Sequence, residues 1–158
     1  MRRGRILATL GGAVILVVLG VAASQFNHKA LQEPNAIETY VATKIKRWLV
    51  SRLARESLPP EPPAAAISIA NGRMQYGGSC ATCHGQDGVT PTPLGNALYP
   101  PTPSLASQQV QKYSNRELFV VIKYGIRNTG MAGFAHIHSD EEIWYLVHYV
   151  RSLGEPSD

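Results

Sequence analysis

The chain contains two cysteines, Cys80 and Cys83, and His84 follows the second at once. The run Cys80-Ala81-Thr82-Cys83-His84 admits few chemistries. A structural zinc ion generally takes four ligands, and there is no second cysteine pair to complete the set. A thioredoxin-like redox pair belongs in a strand–helix context, and no stretch here alternates apolar and polar residues as a strand would. A disulfide across two intervening residues would constrain little. What remains is c-type haem attachment. Two thiols three positions apart can reach the two vinyl groups of one porphyrin, and the adjacent imidazole then lies under the iron. The spacing predicts one covalently attached haem c, with His84 as an axial iron ligand.

The second axial position decides between electron transfer and chemistry on small molecules. Met131 sits in Thr129-Gly130-Met131-Ala132-Gly133-Phe134, 47 residues beyond His84. A thioether is a soft ligand that favours ferrous iron and raises the potential. A lone methionine is also a flexible core filler, which is the reading given to Met74. His136 and His138 are the rival ligands, and an open iron site is the third option; Met131 is preferred. His28 and His148 read as ordinary surface or helix residues.

A chain of 158 residues has room for one modest domain and an extension. The formal net charge of +4 is unevenly placed: Arg2, Arg3 and Arg5 crowd the start, and Lys44, Lys46, Arg47, Arg52 and Arg55 crowd a second stretch. From Ala66 onward six Lys/Arg face seven Asp/Glu, so nothing there resembles a basic nucleic-acid face. After the first arginines comes an uncharged run from Ile6 to Ser24. As a helix its nineteen residues span about 28 Å, close to the hydrocarbon thickness of a bilayer. Residues 1–24 are therefore expected to be a transmembrane anchor. A cleaved signal ending at Val21-Ala22-Ala23 competes, although signal apolar cores are usually shorter. Either way the arginines stay inside and the rest is exported.

Residues 25–65 read as a helical linker. From Asn35 to Ser57 the apolar positions Ile37, Val41, Ile45, Trp48, Leu49 and Leu53 recur at helical spacing, with basic residues on the other face. Such a helix suits an anionic membrane surface with Trp48 at the interface, or packing on a partner subunit or on the following domain. Pro59-Pro60-Glu61-Pro62-Pro63 is expected to be a stiff spacer and a domain boundary. Residues 66–158 then form an all-α domain: a helix over about Ile67–Cys83, a long loop over Gly85–Pro103, a helix over Asn115–Tyr124 and a last helix ending at Leu153. Ser114 with Glu117, and Ser139 with Glu142, have the spacing of capping boxes. Ile143, Leu146, Val147, Val150 and Leu153 give the last helix its apolar face. A domain this small with this much loop needs a large apolar group to fill its core.

Over roughly Ala66 to Leu153 the residues resemble the class I cytochrome c family, particularly bacterial single-haem members. Gly72, Tyr76 and Cys80, four apart, resemble that family's first helix, and Leu146-Val147-His148-Tyr149-Val150 resembles its last, the two crossing at the glycine. Thr92-Pro93-Leu94-Gly95 resembles the loop whose proline carbonyl accepts a hydrogen bond from the ligand histidine, which nominates Pro93. Tyr99-Pro100-Pro101 resembles the turn beneath the haem, and Lys123 to Met131 the approach to the axial methionine. Ala132 departs from the proline common after that methionine. The resemblance implies a class I cytochrome c fold and no enzymatic step of its own. It implies an electron carrier, here on the outer, periplasmic face of a bacterial inner membrane. The implied partners are redox proteins such as a quinol-oxidising complex, a terminal oxidase or a dehydrogenase. Alternatives are a fixed subunit of a larger redox complex, and a haem enzyme or gas sensor.

Overall fold

The structure is a computed structural model describing residues 2–24 and 34–154, with only the backbone of 2–9, 22 and 23 described. All regular structure among the described residues is helical. The chain divides into two compact units, Met1–Gln32 and Glu33–Asp158.

The first unit holds α1, Arg2–Ser24. Its described apolar side chains, from Leu10 through Val14–Leu19 to Val21, are all more than half exposed. Among the described residues no helix is long and apolar enough to cross a membrane. The expected anchor falls partly outside them, as do the side chains of its arginines, His28 and residues 25–33 of the connector.

In the second unit, α7 (Asn115–Tyr124) and α8 (Asp140–Ser152) begin as their sequences predict. The Ser114 backbone N–H donates to Glu117 at 2.8 Å and the Glu117 N–H donates back to the Ser114 hydroxyl at 3.2 Å. Ser139 and Glu142 repeat the exchange at 2.7 and 3.3 Å. Each box satisfies two donors that a helix start otherwise leaves bare. Helix α8 is buried well beyond its expected stripe: Trp144, His148 and Tyr149 are covered along with Ile143, Leu146, Val147 and Val150. It packs on α7 through Phe119 and Trp144, ring centroids 4.4 Å apart.

The other half of the core is the crossing of α8 with α3, Ala66–Ser79. A Cβ at Gly72 would overlap the Tyr145 carbonyl, so only glycine lets the two backbones touch. One turn on, the Tyr76 and Tyr149 rings lie 5.0 Å apart. His148 is no surface residue: its ring is buried, with Nδ1 3.0 Å from the Ser68 hydroxyl and Nε2 3.4 Å from Glu61. Met74, expected in the core, is 72% exposed.

The segment expected to be one helix through Cys83 is two, because Cys80 interrupts it before the single turn α4, Ala81–His84. The loop beyond contains α5, Pro93–Ala97, capped by Thr92, whose hydroxyl accepts from the Gly95 N–H at 3.1 Å. A further turn, α6, spans Gln108–Gln111.

Helix α2, Ala36–Leu53, and the proline-rich stretch are not separated from this core. Glu61 accepts from the Asn115 side chain at 2.6 Å as well as approaching His148, and Leu58 packs on the core. The expected boundary at Pro59–Pro63 is therefore a strap across the domain surface: proline stiffens it, and Glu61 ties it down. Helix α2 lies against α7 by Val50 and Ala54, both 6% exposed. Ser51 donates to Glu117, and Arg116 donates to the Ala54 and Glu56 carbonyls at 2.8 and 2.7 Å. The face that packs is not the apolar one. Ile37, Val41, Ile45, Trp48 and Leu49 all point outward, from 46% to 77% exposed.

The α2–α7 contact has an acid sensitivity. Burial pushes the Glu117 carboxyl up, but hydrogen bonds from Ser51 and Ser114 outweigh it and hold the group below its ordinary value of 4.5. A depressed carboxylate adds stability that is present above its unfolded-state value and lost as pH falls through its folded one. Amide exchange in α2 should therefore accelerate below about pH 4.5. The Glu117→Gln variant should lack that step, with a cost at neutral pH of about 1 kcal/mol or less. Exchange in α2 that is flat down to strong acid would remove Glu117 from this role.

Candidate functional site

The site is built where α3 ends. Cys80 closes α3 with its N–H on the Tyr76 carbonyl at 2.9 Å, and the His84 N–H returns to the Cys80 carbonyl at 3.0 Å. One helical turn thus carries Cys80, Cys83 and His84. Gly85 ends it at a φ of +80°, a conformation in which a side chain would be strained. Tyr76, already locked by α8, donates its hydroxyl to the Gly85 carbonyl at 2.6 Å, coupling the turn to the helix crossing. The following loop folds back underneath. The Thr92 N–H reaches the Cys83 carbonyl at 3.1 Å, and its hydroxyl donates to the Thr82 carbonyl at 2.7 Å. Gly95 presses so close to the Cys83 carbonyl that a Cβ there would overlap it.

The imidazole is oriented from outside. His84 Nδ1 lies 3.2 Å from the Pro103 carbonyl oxygen. A proton on Nδ1 donated to that carbonyl leaves Nε2 with a free lone pair, which is what an iron ligand needs. Burial pushes the His84 pKa down, opposed by the Pro103 carbonyl. The neutral ring is thereby favoured. Pro93, nominated for the acceptor role, instead opens α5 with its side chain exposed, so the acceptor is Pro103. The two prolines belong to the same loop, and its path, not the Thr92–Gly95 motif, decides which carbonyl ends beside the ring.

Both cysteines are half-buried, and burial with the neighbouring Cys83 raises the Cys80 thiol to about 11.

Met131 is half-buried in a loop bound to itself and to α7. The Ile126 N–H donates to the Met131 carbonyl at 2.9 Å, the Met131 N–H donates to the Thr129 hydroxyl at 3.1 Å, and the Phe134 N–H donates to the Ile122 carbonyl at 3.1 Å. Gly130 abuts the Leu98 side chain, which brings this loop over the segment that follows the cysteine motif. Gly125, at a φ of +70°, leaves no room for a Cβ against the backbone of Met131 to Gly133. The rival histidines differ. His136 is exposed, while His138 has Nε2 2.8 Å from the Ser79 hydroxyl and Nδ1 4.0 Å from Glu142. Both nitrogens of His138 therefore already face polar partners.

The residues present fit a haem. Two cysteines and an oriented imidazole share one turn, and among the described residues Trp144 Nε1 is a buried donor without a hydrogen-bond partner. Cys80 and Cys83 would hold the porphyrin and His84 its iron.

A family model described as cytochrome c oxidase, cbb3-type, subunit III matches residues 68–150, just over half of the chain. Among solved structures, the Kuenenia stuttgartiensis reducing HAO-like protein complex Kustc0457/Kustc0458 aligns with a TM-score of 0.58 and 24% identity, over 63% of this chain. The alignment covers 49% of that chain, so this one spans about half its length. The KustC0563 c-type cytochrome aligns at 32% identity with a TM-score of 0.47, over 53% of this chain and 98% of that one. No curated protein matches.

Proposed function

The chain belongs to the cytochrome c oxidase, cbb3-type, subunit III family of class I cytochromes c, with covalently bound haem c, and from that premise we propose that it is an exported carrier of single electrons between membrane-associated redox proteins. The observation that carries this reading is the His84 imidazole, held on the Pro103 carbonyl within the turn that bears both thiols. The haem supplies a metal centre that changes oxidation state by one electron. The protein's part is to fix that group, choose its ligands and limit its contact with water, the levers by which axial ligation and burial set potentials.

Met131 is the proposed second ligand, supported by its half-buried position in a pinned loop and by the prior engagement of His138. With His84 and Met131 both on the iron, the ligand set would leave no open position and would suit one-electron transfer. The anchor over residues 1–24 and a place on the outer face of a bacterial inner membrane rest on the sequence: three arginines, then an uncharged run of membrane-spanning length. Donor and acceptor are of the class of quinol-oxidising complexes, terminal oxidases and membrane dehydrogenases.

The test is carbon monoxide binding to the reduced holoprotein. A carrier with both axial positions filled by protein takes up the gas slowly or not at all at neutral pH. Rapid, saturable binding would mean an open iron position, and would move the haem enzyme or gas sensor to the front.

A further inference from the structure

Among the described residues the outward face of α2 has no partner. The helix packs on the haem domain by Arg47, Val50, Ser51 and Ala54, at i, i+3, i+4 and i+7: the Arg47 guanidinium lies 5.3 Å from the Tyr113 ring centroid, and Ser51 bonds Glu117. Its apolar stripe, Ile37, Val41, Ile45 and Trp48 flanked by Leu49, turns the opposite way and is exposed throughout. A helix that needed only to cover its own domain would be expected to turn this stripe inward.

Three observations say what covers it. The exposed cations of this face, Lys44, Arg52 and Arg55, sit beside the stripe, and Glu38, in the first turn of α2, is engaged by the Tyr99 hydroxyl at 2.5 Å. The Arg52 guanidinium lies 5.7 Å from the Trp48 ring centroid, so the indole and a cation occupy the same part of the face. Residues 25–35 join α2 to the uncharged run ending at Ser24, and eleven residues reach at most about 40 Å. We propose that α2 lies in the headgroup region of an anionic bilayer, Trp48 and the aliphatic stripe toward the acyl chains and the three cations at the phosphates. Because the other face of α2 is bonded to α7, this contact sets the orientation of the haem domain to the membrane surface. The inference deepens the membrane-carrier reading and rests on it.

The test uses the full-length holoprotein with vesicles of brominated phosphatidylcholine, with or without phosphatidylglycerol, and reads Trp48 emission as the difference from a Trp48→Phe variant. The other tryptophan, Trp144, is buried at 1% exposure. The expected result is that anionic brominated vesicles quench Trp48 by about half, as suits a ring some 5–10 Å into the interface. Lys44→Glu/Arg52→Glu and Ile45→Asp/Leu49→Asp, all at exposed positions, should abolish the quenching while leaving the haem spectrum unchanged. Flotation with the vesicles separates the two readings. Flotation on both lipid compositions with Trp48 unquenched, or quenched equally on both, overturns the α2 contact and leaves the anchor. Flotation with quenching on anionic vesicles alone supports the contact and overturns the anchor. No flotation on either composition overturns both.

Discussion

Replacing Met131 by alanine is expected to lower the haem reduction potential by about 0.2 V, a fraction of the roughly 0.8 V that axial ligation spans across haem proteins. The thioether stabilises ferrous iron because it is soft and uncharged; without it a water or a less suited side chain takes the position. Two further changes should accompany the shift. The weak far-red absorption band of iron–thioether bonding disappears from the oxidised spectrum, and the reduced variant binds carbon monoxide quickly where the wild type does not. The loop itself should survive, because its closing bonds run through the Ile126 and Met131 backbones and the Thr129 hydroxyl, none of which the substitution removes. A wild type that lacks the band, together with an unshifted potential in the variant, would dismiss Met131 and direct attention to His136.

Gly72→Val is the second large effect, and it is one of folding. The added atoms would meet the Tyr145 carbonyl and the Tyr149 Cβ, and a backbone carbonyl cannot rotate aside as a side-chain tip can. Helices α3 and α8 must separate, and the contact of Tyr76 with Tyr149 opens. Overpacking of this kind costs about 3 kcal/mol or more, a large share of the stability of a domain this size. The melting temperature of the holoprotein should fall by about 15 °C. Gly77→Ala on the same helix, where a Cβ would meet nothing outside its own helix within 4 Å among the described residues, is the control and should be neutral or slightly stabilising. Equal losses at the two positions would show that the crossing does not govern the effect.

How much of this was legible in the sequence depended on how local the cause is. Ser114 with Glu117, and Ser139 with Glu142, announce helix starts because the partners lie three residues apart and the chemistry is complete within the turn. The cysteine–histidine turn is local in the same way. Gly72, Tyr76, Leu146 and Tyr149 were found through the family resemblance, since nothing within α3 alone says that a distant helix will need the space. Where the deciding contact is long-range and polar, the sequence was silent or misleading. His148 interrupts an apolar pattern and was read as ordinary, yet Ser68 and Glu61 bury it by satisfying its ring. The resemblance over Thr92–Gly95 nominates the Pro93 carbonyl as acceptor, and only the path of the loop reveals that Pro103 takes that place. The inversion of α2 is the largest such case. Periodicity located the helix and its apolar stripe, but which face packs was decided by Arg47, Ser51 and Ala54 finding partners on α7 and its approach.

The crossing of α3 and α8 also imposes an order of events. The haem turn precedes, in chain order, the helix that crosses α3. Until α8 arrives, Gly72 has nothing to meet and Tyr76 has no aromatic neighbour. Until the crossing forms, then, the two thiols spend an interval in a chain that cannot yet close. That interval is when they can be reached by whatever joins them to the porphyrin, and contacts spanning the domain lengthen it by slowing the final collapse. The clasp that gives the finished protein its stability thus also sets a delay, with the cofactor attached while the door is still open.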